Sequence, residues 1–345
     1  MKSIADAPHI FYEGDMIVLR SVITRQHKQV AHAQTYSLQQ KQRIWVHCNF
    51  PEHPEWNFST PLKPTLTPEP TIFPATGRIL AVSDIEGNFE AFRDLLLAHE
   101  VIDTAYNWTF GNGRLVMNGD CFDRGPLVME CLWLLYALEE KAKQQGGYVH
   151  FILGNHEIMN MTGDLRYVHE KYLEQALILQ KDYFSWFQPA TELGRWLATK
   201  NVLEKIGPFL FVHGGIAPII NLLSYSLSAI NRLCRPWYFT PVEAFPVQFA
   251  ALYYLLYSSE SPFWYRGYAM GHATARDVEE TLRKFDVRRI IIGHTTTEKV
   301  TVFFDGRVID IDTPHADGIS EGVLIEGGQV FRVNKKGLRE LLVKD

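Results

Sequence analysis

The chain has 345 residues, 46% of them apolar and 21% charged, and its 34 Lys+Arg against 39 Asp+Glu leave a net charge of −5. These proportions are ordinary for a globular protein and exclude a disordered or collagen-like chain. There is no basic excess to grip nucleic acid or an anionic membrane, and the length suits one large domain or two.

Cys48, Cys121, Cys131 and Cys234 are scattered and form no CxxC pair, so neither a disulfide framework nor a zinc ribbon is expected. No apolar leader opens the sequence, and no stretch approaches 18 uncharged apolar residues. The expectation is a cytoplasmic protein with no membrane span.

From the amino terminus, residues 16–24 and 43–46 are rich in β-formers and predict two or three strands over 14–50. Residues 51–74 hold seven of the 17 prolines, which predicts a stiff, non-helical connection. An element this small is marginal alone and should pack on the larger body of the chain. Residues 78–153 then alternate in type: strand 78–82, a helix carrying Phe89, Phe92 and Leu96 on one face, strand 114–117, helix 128–138 and strand 148–153. That succession marks an α/β fold. Residues 157–205 and 217–270 read as mostly helical and aromatic, an insertion over about 157–270 roofing the core. A helix capped by Thr274 comes next, with Val278, Leu282 and Phe285 on one face. Short β-runs at 289–292, 300–304, 308–311, 323–325 and 330–333 close the chain. The organisation expected is a β-rich element and linker over 1–77, then a catalytic domain over 78–345.

Polar residues succeed these strands in a regular way. The strand at 79–82 leads to Ser83-Asp84-Ile85-Glu86-Gly87-Asn88, and 115–117 leads to Asn118-Gly119-Asp120-Cys121-Phe122-Asp123-Arg124-Gly125. Residues 151–153 lead to Gly154-Asn155-His156-Glu157, 209–212 to His213-Gly214-Gly215, and 289–292 to Gly293-His294-Thr295-Thr296. In open α/β folds ligands bind beyond the carboxyl ends of the strands, so these ends can converge. Asp84, Glu86, Asp120, Asn155, His213 and His294 make a mixed oxygen and nitrogen set able to hold two divalent cations, with one carboxylate bridging.

This ordered set resembles the calcineurin-like metallophosphoesterases and, within them, the phosphoprotein phosphatase family. Gly163-Asp164-Leu165-Arg166-Tyr167-Val168 and Phe263-Trp264-Tyr265-Arg266-Gly267-Tyr268 resemble its bacterial, Shewanella-like branch. The resemblance implies an α/β fold: a β-sandwich flanked by helices, with a helical insertion and a small amino-terminal β element. It implies one ion on Asp84, Glu86 and Asp120, and a second on Asp120, Asn155, His213 and His294. Arg124, Arg266 and Asn155 would bind the substrate phosphate. His156 would protonate the leaving oxygen, oriented by Asp123. The implied reaction is direct in-line hydrolysis of a phosphomonoester by a water or hydroxide held between the cations, on a phosphotyrosyl or phosphoseryl/threonyl protein or a small phosphoester.

The chain departs from that pattern at Glu86, where the family has His. Three carboxylates then face the ions instead of two, and an oxygen-rich first site favours Mn²⁺, with Mg²⁺, Fe or Zn²⁺ as alternatives. Two other functions remain open: a dinucleoside polyphosphate hydrolase, and a catalytically weak metal-binding adaptor. His150, His169, His272 and His315 read as packing or surface residues, and Asn88, Asn160 and Asp164 as helix caps ahead of the alternative that they tune the site.

Overall fold

The computed structural model describes residues 7–246 and 248–344; the first six residues of the element expected over 1–77 and the last residue of the chain lie outside it. The amino-terminal part is an antiparallel sheet in the order β1 (His9–Glu13), β2 (Met16–Arg25), β3 (Lys28–Ser37), then a pair formed by β4 (Trp45–Cys48) and β5 (Phe58–Pro61). After β6 (Ile72–Phe73) come β7 (Ile79–Val82), α1 (Phe89–Ala98), β8 (Arg114–Met117), α2 (Val128–Lys143), β9 (Tyr148–Phe151) and α3 (Asn155–Thr162). Next are α4 (Glu170–Leu179), α5 (Glu192–Leu197), β10 (Leu203–Ile206), β11 (Phe209–Val212), α6 (Pro218–Leu222), α7 (Leu227–Cys234), α8 (Ala250–Leu256) and α9 (Ala275–Phe285). The chain ends with β12 (Arg289–Ile292), β13 (Thr301–Phe303), β14 (Val308–Asp310), β15 (Glu321–Glu326), β16 (Gln329–Asn334) and β17 (Arg339–Lys344).

Two six-stranded sheets make the core, in the orders β17-β16-β15-β7-β8-β9 and β13-β14-β12-β11-β10-β6. The site-bearing strands run parallel within each sheet: β7, β8 and β9 in one, β11, β12 and β14 in the other. Strand alternation then sorts the side chains. Ile79, Ala81, Val116, Phe209, Phe211, Ile291, Ile309 and Val323 form one apolar layer shared by the two sheets. Leu80, Val82, Leu115, Met117, Leu210, Val212, Ile290 and Ile292 turn the other way, into the cluster that holds Leu95 of α1, Leu132 of α2 and Leu282 of α9. Both faces of each sheet are covered, which is why these strands read as unbroken apolar runs. Among the described residues no helix is long and apolar enough to cross a membrane.

Two expectations need correction. Residues 51–74 are not merely a connection: they carry a 3-10 turn (Pro54–Trp56), β5 and β6, and β6 pairs in parallel with β10 at the edge of a core sheet. Proline is compatible with this because Pro61 ends its strand and no proline lies within β6. Within the insertion expected over about 157–270, β11 is the strand expected at 209–212, but β10 falls in residues read as helical and pairs with β11 as an antiparallel hairpin of the second sheet.

The amino-terminal element has a physical reason to be there. Helix α2 is apolar almost all round, and only three of its 16 residues escape full burial, so a helix of this kind needs cover on every side. Trp133, Tyr136 and Glu139, spaced by three, form the stripe that meets the amino-terminal part. Trp133 Nε1 donates to Pro8 O at 3.0 Å, and the Lys63 backbone N–H donates to the Tyr136 hydroxyl at 2.6 Å. Glu139 is buried between the ammonium groups of Lys63 and Lys200, the latter at 2.6 Å, and also accepts from Trp196 Nε1 at 3.0 Å. Burial alone would raise the Glu139 carboxyl, but the two lysines outweigh it and hold it well below the ordinary carboxylate range.

Removing that carboxylate strands the buried Lys63 ammonium and leaves Lys200 with Glu69 alone. Glu139→Ala is expected to cost about 3–5 kcal/mol, read as a lowered urea midpoint at pH 7. A depressed folded pKa contributes stability that is complete above the unfolded value and fades as pH falls toward the folded one. The gap between wild type and variant should therefore be widest at neutral pH and narrow below about pH 4.3.

Candidate active site

Each strand of the parallel sets ends in a sharp turn that directs a polar side chain inward. Asp84, Glu86, Asp120, Asp123, Arg124 and His294 all have positive φ, between 48° and 71°, in the left-handed region that non-glycine residues avoid. Backbone hydrogen bonds hold the turns in place. Asp84 N donates to Gly119 O, Glu86 N to Asp120 O and Gly87 N to Cys121 O, each at 3.0 Å, and Gly125 N donates to Glu86 O at 2.9 Å. The loops after β7 and β8 are thus zipped together. Close approach also requires glycine at Gly119 (φ 93°), where a Cβ would lie 2.4 Å from His213 Nδ1 and 2.8 Å from Gly154 Cα.

Asp120 sits at the centre. Its Oδ1 accepts the His156 backbone N–H at 3.0 Å, and its Oδ2 lies 3.1 Å from His213 Nε2 and 3.8 Å from His156 Nε2. Two groups of donor atoms, each lying within 4.8 Å of one another, share this residue: Asp120 with His213 and His294, and Asp120 with Glu86 and His156. Asn155 joins the first group, its Oδ1 being 3.0 Å from His213 Nε2. A Glu86 carboxylate oxygen lies in the second group, with His156 where Asp84 was expected, and Glu86 is ion-paired with Arg124. Asp84 is buried beside the two groups, where its Oδ2 accepts the His294 backbone N–H at 3.1 Å. Arg266 donates to the His294 carbonyl and lies 3.4 Å from Thr295 Oγ1.

The donor set fits divalent cations. His213 Nδ1 faces the Asn118 carbonyl at 2.8 Å and must carry a proton, so Nε2 faces Asp120 Oδ2 and Asn155 Oδ1, two acceptor oxygens. A lone pair there is repelled unless a cation or a second proton intervenes. His294 Nε2 is buried with no hydrogen-bond partner. A buried orphan nitrogen beside a carboxylate is what a metal ligand lacking its ion looks like.

The electrostatics agree. Burial raises the Asp84 carboxyl well above its ordinary value, and the charges of Asp312 and Asp120 add to the rise. Asp120 behaves in the opposite way: burial would raise it, but His213, His156 and His294 together hold it low. His156 and His213 are both raised, because their carboxylate partners, Asp120 first, outweigh burial. His294 is driven well down by burial, His213 and Arg266.

His156 is fixed in orientation by its neighbours. Its Nδ1 pairs with Asp123 Oδ2 at 2.5 Å, leaving Nε2 facing the site. Asp123 Oδ1 accepts from Asn160 Nδ2 at 2.9 Å, and Tyr183 OH donates to Asn160 Oδ1 at 2.8 Å. Asn160 is therefore not the helix cap expected of it; one turn beyond His156 on α3, it fixes the Asp123–His156 pair. Asn88 does cap α1, accepting from Ala91 N, while Asp164 pairs with Arg166. His150 is buried against Glu204, and His315 bonds to Ser83 O and Ser320, both as packing residues.

Sequence reasoning missed two residues. Glu157 is fully buried and accepts from the backbone N–H groups of Gly154, Asp120 and Cys121 at 2.6, 2.9 and 2.8 Å. It clasps the loops after β8 and β9, and burial together with Asp120 pushes its carboxyl up to about 7. Asp312, just beyond β14, accepts from Thr296 Oγ1 at 3.0 Å, and burial pushes it up to about 6.

A family model described as calcineurin-like phosphoesterase matches residues 77–298. The crystal structure of a cold-active protein-tyrosine phosphatase from a psychrophilic Shewanella species superimposes with a TM-score of 0.87 at 31% identity, covering 97% of this chain and 98% of that one. Shewanella-like protein phosphatase 2 of Arabidopsis thaliana is 27% identical over 301 residues, 73% of this chain and 75% of its own length. An uncharacterized protein of Schizosaccharomyces pombe is 31% identical over 247 residues, 68% of this chain and 72% of its own.

If Glu157 carries the loops as its contacts indicate, Glu157→Ala leaves three buried N–H groups unsatisfied. Each costs about 1–3 kcal/mol, so the variant is expected to lose at least about 3 kcal/mol of stability in urea unfolding. Its stabilisation by added divalent cation should shrink in the same measurement.

Proposed function

The chain belongs to the calcineurin-like phosphoesterases and is a metal-dependent phosphoesterase with a candidate dinuclear metal site, and from that premise we propose a phosphoprotein phosphatase that prefers phosphotyrosine and works with Mn²⁺. The observation that carries this reading is the pair of donor groups joined at Asp120, with His213 and His294 in one and Glu86 and His156 in the other, Asp84 buried beside them and His156 backed by Asp123. The whole-length likeness to the Shewanella tyrosine phosphatase favours a phosphoprotein over a dinucleotide. The partner proposed is a phosphorylated protein, met in the cytoplasm.

In this proposal Asp84, Glu86 and Asp120 would hold one ion, and Asp120, Asn155, His213 and His294 would hold the other. The bound ions supply positive charge to the phosphoryl oxygens and make water acidic enough to attack at neutral pH. Arg124 and Arg266 grip the phosphoryl oxygens, since a planar guanidinium matches their geometry, and Asn155 adds its side-chain amide. His156 delivers a proton from Nε2 to the leaving oxygen. Asp123 accepts from Nδ1–H, which fixes the ring and keeps it charged until transfer. Asn160 and Tyr183 hold Asp123 in turn. This complete proton-delivery chain is of no use to an adaptor and speaks against that reading. Three carboxylates around the first ion make it oxygen-rich, which supports Mn²⁺ over Zn²⁺.

The reading is tested by reconstituting stripped protein with Mn²⁺, Mg²⁺ or Zn²⁺ and offering phosphotyrosyl peptide, phosphoseryl peptide or dinucleoside tetraphosphate. Orthophosphate release from phosphotyrosyl peptide, best with Mn²⁺ and abolished by Asp120→Asn, is the expected result. Cleavage of the dinucleotide into two nucleotides with no action on peptides would overturn it. His156→Asn should lower kcat about 10²–10⁴-fold on phosphopeptides. The loss should be much smaller on p-nitrophenyl phosphate, whose leaving group departs without a proton.

A further inference from the structure

A cavity of about 480 Å³ opens between α3 and the segment 241–264, lined by Ile158, Met159, Pro241, Val242, Tyr257 and Trp264 among others. That volume is in the range of small-molecule sites. We propose that this cavity is an aryl pocket for the leaving group, receiving the tyrosyl ring of the substrate between Trp264 and Met159. The inference rests on the phosphatase reading and gives it a reason to prefer phosphotyrosine.

Two contacts join the cavity to the site. Met159 Sδ lies 3.8 Å from Asn155 Nδ2, and the Trp264 ring meets His294 edge-on, with centroids 5.7 Å apart and planes at 87°. The walls of the cavity are therefore the side chains that touch two of the proposed metal ligands.

Direction comes from the proton donor. The leaving oxygen has to face His156 Nε2, and His156 stands in the first turn of α3. Ile158 and Met159 follow His156 on that helix, and in this proposal the group attached to the oxygen is received on their side. A tyrosyl oxygen carries a flat ring there before the peptide backbone begins. A seryl or threonyl oxygen carries only one carbon and cannot reach between the walls. Indole and thioether surfaces both suit a ring face, through π-stacking and sulfur–aromatic contact. At the rim Asp164 and Arg166 are paired at 2.7 Å, with Glu243 nearby, so the mouth is polar where a peptide would emerge. A second cavity of about 780 Å³ also has Trp264 and Tyr257 in its wall, but it opens on Arg266 and Glu260 and includes no residue of α3. It borders the phosphate-gripping Arg266 but none of the residues that follow the proton donor on α3.

The test compares binding of phenylphosphonate and methylphosphonate to Mn²⁺-loaded protein by calorimetry, alongside kcat/KM for phosphotyrosyl and phosphoseryl peptides of one sequence. Wild type should bind the phenyl compound at least tenfold more tightly than the methyl. Trp264→Leu should cut that ratio at least fivefold and lower the tyrosyl-to-seryl ratio of kcat/KM about tenfold, whereas Trp264→Phe should keep most of both. Met159→Ala should move the two ratios in the same direction by less. Equal affinity of wild type for the two phosphonates would overturn the pocket. So would a Trp264→Leu loss equal for both ligands, which would make Trp264 only a prop for His294. Strong phenyl preference with no turnover of phosphotyrosyl peptide would instead refute the functional reading and leave the pocket in place.

Discussion

Three backbone N–H groups, from Asp120, Cys121 and Gly154, converge on the carboxylate of Glu157. The rest of the site depends on that clasp. Asp120 belongs to the loop after β8, Asn155 and His156 to the first turn of α3 after β9, and nothing in strand pairing alone fixes these segments against each other. A buried carboxyl group accepting three N–H groups does, because each of those buried donors would otherwise have no partner. Asp120 Oδ1 then repeats the pattern by accepting the His156 N–H, so the central carboxylate is positioned through the same peptide groups it helps to order.

The site concentrates negative charge in a dry interior. Asp84, Asp120, Asp123, Glu157, Asp310 and Asp312 are all buried there. Burial raises Asp84, Glu157, Asp310 and Asp312, the response of acids short of positive partners. Arg124 and Arg266 are too exposed to neutralise the set from within. Divalent cations would complete the balance, and the orphan Nε2 of His294 marks one place for them. The network around α2 balances itself by contrast: Glu139 meets Lys63 and Lys200, and Glu69 also meets Lys200. One cluster is closed and structural, the other open and chemical.

What was legible in the sequence had a period or a position relative to a strand. Apolar runs announced the strands, the sandwich of two sheets came from the resemblance, and the polar residues after the runs announced a shared mouth, which is where Asp120, Asn155, His213 and His294 meet. Glu157 was visible as a letter but not as a clasp, since accepting backbone N–H groups leaves no spacing signature. Asn160 acts on Asp123 across 37 residues of chain, a pairing that local capping rules cannot see. The proline-rich segment misled for a similar reason: proline density reports the missing donors, whereas β5 and β6 form in the short intervals between prolines. The need for an amino-terminal cover was written in α2 itself, whose apolar residues leave no polar face to turn toward water.

Strain is the last element of the design. Six site residues hold left-handed backbone conformations, each costing about 1–2 kcal/mol relative to ordinary ones. Glycine would remove that cost, and the chain uses glycine directly beside these positions, at Gly87, Gly119, Gly125 and Gly293. At the six themselves glycine would also remove the carboxylate, guanidinium or imidazole that the turn exists to aim. The strain is tolerated because the zipped loops and the Glu157 clasp leave the backbone no relaxed alternative. Stability lost at the strand ends is regained in the two apolar layers behind them, where burial of one Leu, Ile or Phe side chain contributes about 1.5–3 kcal/mol. Rigid sheets are therefore the condition for the site: only a scaffold with stability to spare can hold so many side chains in conformations they would not choose alone.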